Sequence, residues 1–351
     1  MPDCVLVTGG AGFIGSQVVD RLVEQGERVR VIDNFHPAAH DERPGYLNPG
    51  AEYIEADVAD EATFEHSLDG VTAVCHQAAM VGLGVDFADA QQYVQDNCLG
   101  TARLLTALAA KDFSGPLVLA SSMVVYGEGH YECPNHGSVK PAPRSREDLI
   151  AGQFEPRCPT CGEQLTPSTV TEDATTDPRN VYAATKLHQE HLCSLFAREN
   201  EGVRYVALRY HNVYGPRMPR DTPYAGVASI FRSALERGEA PAVFEDGGQI
   251  RDFVHVSDVA RANVLALNPD STAEGAFNVA SGTPRTIRDM AEQLSIAAGP
   301  EAPGPKITGE FRLGDVRHVF ADAGRARDVL GLTAEVGLEE GMREFATAEL
   351  R

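Results

Sequence analysis

The chain has 351 residues, 43% of them apolar, enough to bury a full core as one large domain or two closely packed ones, and nothing in its composition points to disorder. A balance of 51 acidic against 30 basic residues gives a formal charge of −21, which repels phosphate backbones and anionic lipid. Nucleic-acid and membrane-surface partners are therefore disfavoured, and an anionic substrate would need locally placed arginines. From the N-terminus, short apolar runs alternate with helical patterns: CVLVTG, a helix over Phe13 to Gln25, RVRVID, AEYIEAD, a short helix near Thr63, TAVCHQAA, a long helix from Asp89 to Ala110, and PLVLASS. Strand–helix alternation with near-continuous apolar strands predicts an α/β fold whose parallel sheet is covered on both faces.

From Glu128 to Pro178 the pattern dissolves into Pro, Gly, Cys and charged residues, and a loop of that length inside a compact domain needs something to organise it. Regularity returns with a helix over Arg179 to Asn200 and the strand RYVALRY. Beyond it, helices at Ala225 to Arg237, Val256 to Leu267, Ile287 to Ala297 and near the C-terminus mix with short strands such as RDFVHV and GAFNVA. This reads as a smaller lobe closing over the C-terminal edge of the sheet. No internal repeat is found. The opening MPDCVLVTGG lacks the features of a targeting segment, and no run reaches the roughly 18 apolar residues of a membrane span, so a cytoplasmic location is expected. Four of the seven cysteines, Cys4, Cys75, Cys98 and Cys193, read as small buried hydrophobes.

Gly9, Gly12 and Gly15 in TGGAGFIG follow the first strand and open the first helix, where a tight turn and free helical N–H groups suit a pyrophosphate. Asp33 ends the second strand, where a carboxylate can accept both ribose hydroxyls and repel a 2′-phosphate. This favours NAD over NADP. Asp57 after the third strand and Gln77, Ala78 and Ala79 after the fourth fall where the adenine and dinucleotide backbone would be flanked; strand-end solvation would look the same. Tyr182 and Lys186 in YAATK stand four apart on one helical face. A tyrosine with its ordinary pKa of about 10 is a poor base at neutral pH, so a neighbouring cation is expected to stabilise the phenolate. Ser122, ending the fifth strand, can then hydrogen-bond a substrate hydroxyl.

Taken together, TGGAGFIG, Asp33-Asn34, HQAA, Asn97, SSMVVYG, YAATK, RYHNVYGPR, RDFVHVSDVA and GDVRH resemble, in order and over nearly the whole chain, the extended short-chain dehydrogenase/reductase family, and within it the nucleotide-sugar epimerases and dehydratases. The resemblance implies a Rossmann-type doubly wound sheet with a smaller C-terminal α/β substrate lobe. It divides the chain into an NAD-binding domain (1–127 and 179–209), an insert (128–178) and a mainly substrate-binding lobe (210–351), with interleaved boundaries. It makes Ser122, Tyr182 and Lys186 the catalytic triad. It adds Phe13, Ile14, Asn34, Val58, Asn97 and Tyr210 to the NAD contacts, together with Tyr182 and Lys186 of the triad. It also implies substrate contacts from Val81, Met123, Asn212, Val227, Phe244, Arg251, Arg312 and Asp315, with Phe244 walling the base and Arg251 and Arg312 meeting the diphosphate. Bidentate guanidinium donors suit that group, although each arginine could equally serve a structural ion pair. A homodimer through the two long helices is implied by the resemblance alone; an internally packed helix pair would leave the same pattern.

Dehydratases of this family carry an Asp-Glu pair after the serine-type position, and the related decarboxylases keep a glutamate there. Met123 and Val124 move no proton, which disfavours both. What remains is inversion at sugar carbon 4 through a 4-keto intermediate with retained NAD. An NADH-dependent 4-keto-sugar reductase would use the same triad, and an NAD-sensing scaffold using the insert for partners is a reading of a different class; an intact Tyr182 and Lys186 speak against the scaffold.

Cys133, His136, Cys158 and Cys161 read as C-x2-H, 21 residues, C-x2-C, each pair in a Cys-Pro-x-ligand-Gly turn. Four such donors suit tetrahedral zinc, and a closed shell makes it structural rather than catalytic. The ion would organise the aperiodic insert. YGEGHYECPNHGSVKPAPR, FEPRCPTCGEQL and TPYAGVASIF also resemble bacterial epimerases that act on dTDP-L-rhamnose at carbon 4 to give the 6-deoxy-L-talose sugar. UDP-glucose and UDP-glucuronate stay open as alternatives, because Val85-Asp86 and His211 depart from those relatives.

Overall fold

The computed structural model describes residues 3–37, 39–40, 42–82, 87–220 and 226–351. The first half contains β1 (Cys4–Thr8), α1 (Phe13–Glu24), β2 (Val29–Asp33), β3 (Glu52–Glu55), α2 (Phe64–Ser67), β4 (Val71–His76), α3 (Ala90–Tyr93), α4 (Gly100–Ala110) and β5 (Gly115–Ser122). The insert follows as β6 (His130–Cys133), β7 (Gly137–Val139), α5 (Arg146–Ile150) and β8 (Thr166–Ser168), then α6 (Val181–Glu199), β9 (Val203–Tyr210), β10 (Asn212–Tyr214) and α7 (Val227–Glu236). The remainder is β11 (Ala242–Val243), β12 (Ile250–Arg251), β13 (Phe253–His255), α8 (Val256–Leu267), β14 (Gly275–Val279), β15 (Arg285–Thr286), α9 (Ile287–Ala297), β16 (Lys306–Ile307) and α10 (Leu338–Thr347).

Seven strands form an all-parallel sheet in the order β14-β9-β5-β4-β1-β2-β3. Strands β1, β2 and β9 are almost wholly buried because helices cover both faces, which accounts for their near-continuous apolar sequences. On one face, Val18, Val19 and Leu22 of α1 pack with Val259, Ala260 and Leu267 of α8. On the other, Leu104, Leu105 and Leu108 of α4 pack with Cys193 and Phe196 of α6. Each fully buried leucine of this kind is worth about 1.5–3 kcal/mol over exposure. The chain reverses direction across the sheet between β1 and β4, so a crevice opens there at the C-terminal strand ends.

Three features depart from the sequence expectations. GAFNV is the seventh strand of the main sheet, and α8 lies on it too, so both leave the C-terminal lobe. The lobe keeps its own core around Tyr214, Phe231, Phe253, Met290, Leu294 and Phe345. The long helix before β5 is interrupted by a π-helical stretch over Val94–Leu99. The wider turn carries Asn97 fully inward, where its Oδ1 accepts from the Met80 N–H (2.8 Å) and its Nδ2 donates to the Met80 carbonyl (3.0 Å) and Thr185 (2.9 Å). Cys98, on the same stretch, is only half-buried, whereas Cys4, Cys75 and Cys193 are core residues.

The insert is organised by a three-stranded antiparallel sheet in the order β7-β6-β8 and a small cluster of Tyr131, Cys133, Cys158 and Leu165. Val85-Asp86 and residues 222–225 of TPYAGVASIF lie outside the described residues. Among the described residues, no helix is long and apolar enough to cross a membrane.

Candidate functional site

Gly9 adopts φ +68°, and a Cβ there would lie 2.6 Å from the Ala78 N atom; at Gly15 a Cβ would meet the Gly9 carbonyl oxygen at 2.1 Å. The turn therefore tolerates no side chain at either position, and these contacts lie within the protein itself. Gly12 opens α1 with no side-chain cap, which leaves the N–H groups around Phe13, Ile14 and Gly15 oriented for an anion at the helix N-terminus. Asp33 ends β2 beside this turn, its Oδ2 accepting from the Ala11 N–H and its Oδ1 from the Phe35 N–H, both at 2.9 Å. Asp57 accepts from the Ala59 N–H at 2.7 Å and from Asn34 at 3.0 Å, and Val58 is buried beneath it. Across the crevice, Gln77 donates to Tyr210 (3.0 Å) and to Asn263 (2.8 Å), and the Ala78 N–H donates to Thr8 (3.3 Å), with Ala79 next in chain. Asn263 was not singled out from sequence; a lone asparagine on the buried face of apolar α8 was the available signal.

Ser122 ends β5 directly opposite Tyr210, and its side chain caps the short turn that carries Met123, accepting from the Val124 N–H at 3.4 Å. Helix α6 starts where it does because Asn180 accepts from the Ala183 N–H at 2.8 Å, and its first turns bring Tyr182 and Lys186 to this strand end. The Tyr182 phenol comes near enough to Ser122 for that side chain to favour its ionised form. Lys186 donates to the Ala120 carbonyl at 2.9 Å and stands 6.0 Å from the centre of the Tyr182 ring. Burial pushes Tyr182 up to about 12, Ser122 pulling the other way, and drives Lys186 down to about 7. Desolvation disfavours both charged forms.

At the other end of the crevice, Phe244, Thr308, Gly309, Glu310, Phe311 and Arg312 line a cleft of about 610 Å³, with the Arg312 guanidinium 5.3 Å from the Phe244 ring centre. An aromatic face with a cation over it suits a stacked base. Between cleft and triad, Arg251 donates to the Ile250, Arg317 and Val316 carbonyls at 2.7–2.9 Å, which leaves its Nε–H and one Nη2–H for a ligand. Burial pushes the Asp315 carboxyl up against the pull of Arg312 and Arg251. Asn212 opens β10 with a buried Oδ1 that has no partner among the described residues, and an acceptor so placed is suited to a ligand hydroxyl or N–H. Beside it, burial drives the His211 ring down to about 4, so this departure is a neutral side chain. Val81 is half-exposed beyond β4, and Val227 begins α7 against the lobe core.

The ligand atoms of Cys133, His136, Cys158 and Cys161 lie within 4.8 Å of one another. Cys133 Sγ is 3.4 Å from His136 Nδ1 and 3.6 Å from Cys161 Sγ, and Cys158 Sγ is 3.6 Å from His136 Nδ1. Bond lengths of about 2.3 Å to sulfur and about 2.0 Å to nitrogen make tetrahedral edges of about 3.5–3.8 Å, whereas a disulfide needs about 2.05 Å. The donor set thus fits a four-coordinate metal ion with no open position. The Cys161 N–H, seconded by that of Thr160, lowers Cys158 to about 6, while burial raises Cys133.

Comparison with known proteins agrees with this geometry. A dTDP-L-rhamnose 4-epimerase of Burkholderia thailandensis is 35% identical over 350 residues, covering 98% of this chain and 94% of the relative. Among solved structures, UDP-glucose 4-epimerase of Thermotoga maritima with UDP-glucose superposes with a TM-score of 0.78 at 30% identity, covering 98% and 97% of the two chains. The Thermus thermophilus UDP-glucose 4-epimerase complex with NAD superposes with a TM-score of 0.75 at 29% identity, covering 98% and 97%. The model of the NAD dependent epimerase/dehydratase family matches residues 5–147 and 158–280, breaking only inside the insert, and the chain belongs to that family.

Proposed function

We propose that the protein is an NAD-dependent nucleotide-sugar 4-epimerase, with dTDP-L-rhamnose as substrate and the dTDP-6-deoxy-L-talose sugar as product. The observation that carries the reaction type is the meeting of Ser122, Tyr182 and Lys186 at the end of β5 with no second proton-transfer group at Met123 or Val124. The substrate assignment rests on the insert and on the Burkholderia relative.

In this reading residues 1–127 and 179–209 chiefly hold NAD: the Gly9–Gly15 turn and α1 N-terminus meet the pyrophosphate, Asp33 and Asn34 the adenosine ribose, Asp57 and Val58 the adenine, and Gln77, Ala78, Ala79, Asn97 and Tyr210 the nicotinamide half. NAD, when bound, supplies a reversible hydride acceptor at carbon 4. Phe244 walls the base, Arg251 and Arg312 meet the diphosphate, and Asn212 contacts the sugar nucleotide through its amide. Asp315, Val81, Met123 and Val227 complete the pocket of the lobe formed largely by residues 210–351. Ser122 holds the carbon 4 oxygen while Tyr182 takes its proton; the 4-keto sugar then turns over, carbon 4 takes the hydride back on its opposite face, and Tyr182 returns the proton to the oxygen. Lys186 supplies the positive charge that offsets the developing phenolate. Cys133, His136, Cys158 and Cys161 hold a structural zinc that shapes residues 128–178. The active unit is a homodimer.

An NMR time course with dTDP-L-rhamnose, UDP-glucose and UDP-glucuronate in parallel, with no NAD added, tests this. Inversion at carbon 4 of dTDP-L-rhamnose alone is expected. Inversion of a UDP sugar instead would move the assignment to a UDP-sugar epimerase, and turnover only with a 4-keto sugar and added NADH would replace it with a reductase.

A further inference from the structure

Arg317 has five N–H donors, and the fold uses every one. Its Nε and Nη2 donate to Glu155 Oε1 at 2.9 and 2.6 Å, its Nη1 to Glu245 Oε2 and Asp246 Oδ1 at 2.9 and 2.8 Å, and its Nη2 also to Asp246 Oδ2 at 3.0 Å. The side chain is only 1% exposed. Its acids come from two parts of the chain: Glu155 belongs to the insert, three residues before Cys158, whereas Glu245 and Asp246 directly follow Phe244 in the base cleft. A second guanidinium, this one from the insert, joins them. Arg144 reaches both Glu245 oxygens at 2.9 Å and the Asp315 carbonyl at 2.8 Å.

Glu245 is the pivot. Its carboxylate is buried, and its backbone sits at φ +53°, a conformation that residues with side chains seldom adopt unless their surroundings hold them there. From that conformation its N–H donates to the Glu310 carbonyl at 2.7 Å and its carbonyl accepts from the Gly309 N–H at 3.2 Å, so it also fixes the far wall of the cleft. The main chain of Arg317 continues the path: its N–H donates to Glu128 Oε1 at 2.6 Å, and its carbonyl accepts from Arg251 at 2.9 Å. A buried ion network is weak evidence for stability alone. Two guanidiniums fastening one carboxylate at a left-handed position define geometry, and the geometry defined is that of Phe244, Glu310 and Arg251.

We infer that Arg144 and Arg317 are positioning residues through which the 128–178 insert sets the shape of the nucleotide-binding cleft, so that the insert governs nucleotide affinity rather than the chemical step. The inference rests on the nucleotide-sugar reading of that cleft and names which part of the substrate the insert serves. Ser122, Tyr182 and Lys186 are not partners in the network, so its perturbation should appear in KM and leave kcat alone.

Arg317→Met takes a partner from three carboxylates at once, Glu155, Glu245 and Asp246, and misfolding would mask its effect. Glu155→Gln and Arg144→Met are milder, since each leaves Arg317 with acidic partners. Calorimetric titration of NAD-saturated protein with free dTDP and free UDP is the measurement, alongside KM and kcat for whichever sugar turns over. Both variants should weaken the preferred nucleotide about tenfold, or ~1.4 kcal/mol, and raise KM in parallel while kcat stays within about twofold. Unchanged nucleotide affinity in both variants, or a fall in kcat at constant KM, overturns the inference and leaves the epimerase reading intact. Wild-type protein that binds neither nucleotide overturns both.

Discussion

At Tyr182, burial pushes the phenol up to about 12 against the opposing pull of Ser122, so proton transfer at neutral pH needs a neighbour that favours the phenolate. Lys186, driven to about 7, is poised to gain charge once a partner anion or dipole enters. Tyr182→Phe removes the O–H and little else from a half-buried ring, so we predict a fall in kcat of about 10²–10⁴-fold with the content of co-purified NAD unchanged. Stopped assays with parallel cofactor extraction check this. A variant that keeps wild-type kcat would move the base elsewhere, and one that loses NAD would make Tyr182 a cofactor ligand first. The residue types and spacing of the triad were legible from YAATK and the end of PLVLASS. The charge balance was not, because it depends on how water is excluded around α6 and β5, which spacing does not encode.

Among the elements, the parallel strands and their covering helices were legible because a sheet buried on both faces writes itself as unbroken apolar runs. The π-helical turn at Val94–Leu99 was not, since its one-residue offset is imposed by Asn97 bridging Met80 and Thr185 across the crevice. Nor was the displacement of GAFNV into the main sheet, because a five-residue strand carries no record of which neighbour it pairs with. The insert shows the converse: CPNHG and CPTCG marked the Cys/His cluster that could hold a metal, yet nothing in the sequence sets Arg144 and Glu155, which tie the insert to the cleft, apart from its other charged residues. If a metal holds the knuckle, Cys161→Ser opens its shell at the one exposed cysteine of the four ligands. We predict that wild-type protein carries about one zinc per chain by elemental analysis and that the variant carries far less, with a lower Tm and activity reduced but not abolished. Equal metal content and equal Tm in the two proteins would make the four residues a reduced thiol cluster.

For the molecule as a whole, a charge of −21 opposes self-association, so any dimer must be held by apolar surface at short range. Such surface is present on the long helices flanking the crevice: Phe87 is 82% exposed, Val94 50%, Leu99 42% and Leu195 51%. Covering what each still exposes contributes a share, in proportion to that exposure, of the about 1.5–3 kcal/mol that full burial of such a side chain is worth. The two terms respond differently to salt, because screening weakens repulsion between like-charged protomers and leaves apolar burial nearly untouched. We therefore predict a dimer in sedimentation velocity whose dissociation constant falls as NaCl is raised from about 50 to about 500 mM. Leu99→Glu, which adds repulsion at the covered face, should give monomers that still retain NAD. A wild-type protein that stays monomeric at both salt concentrations, or a Leu99→Glu protein that dimerises as well as wild type, would place these side chains in solvent and remove the helices from any interface.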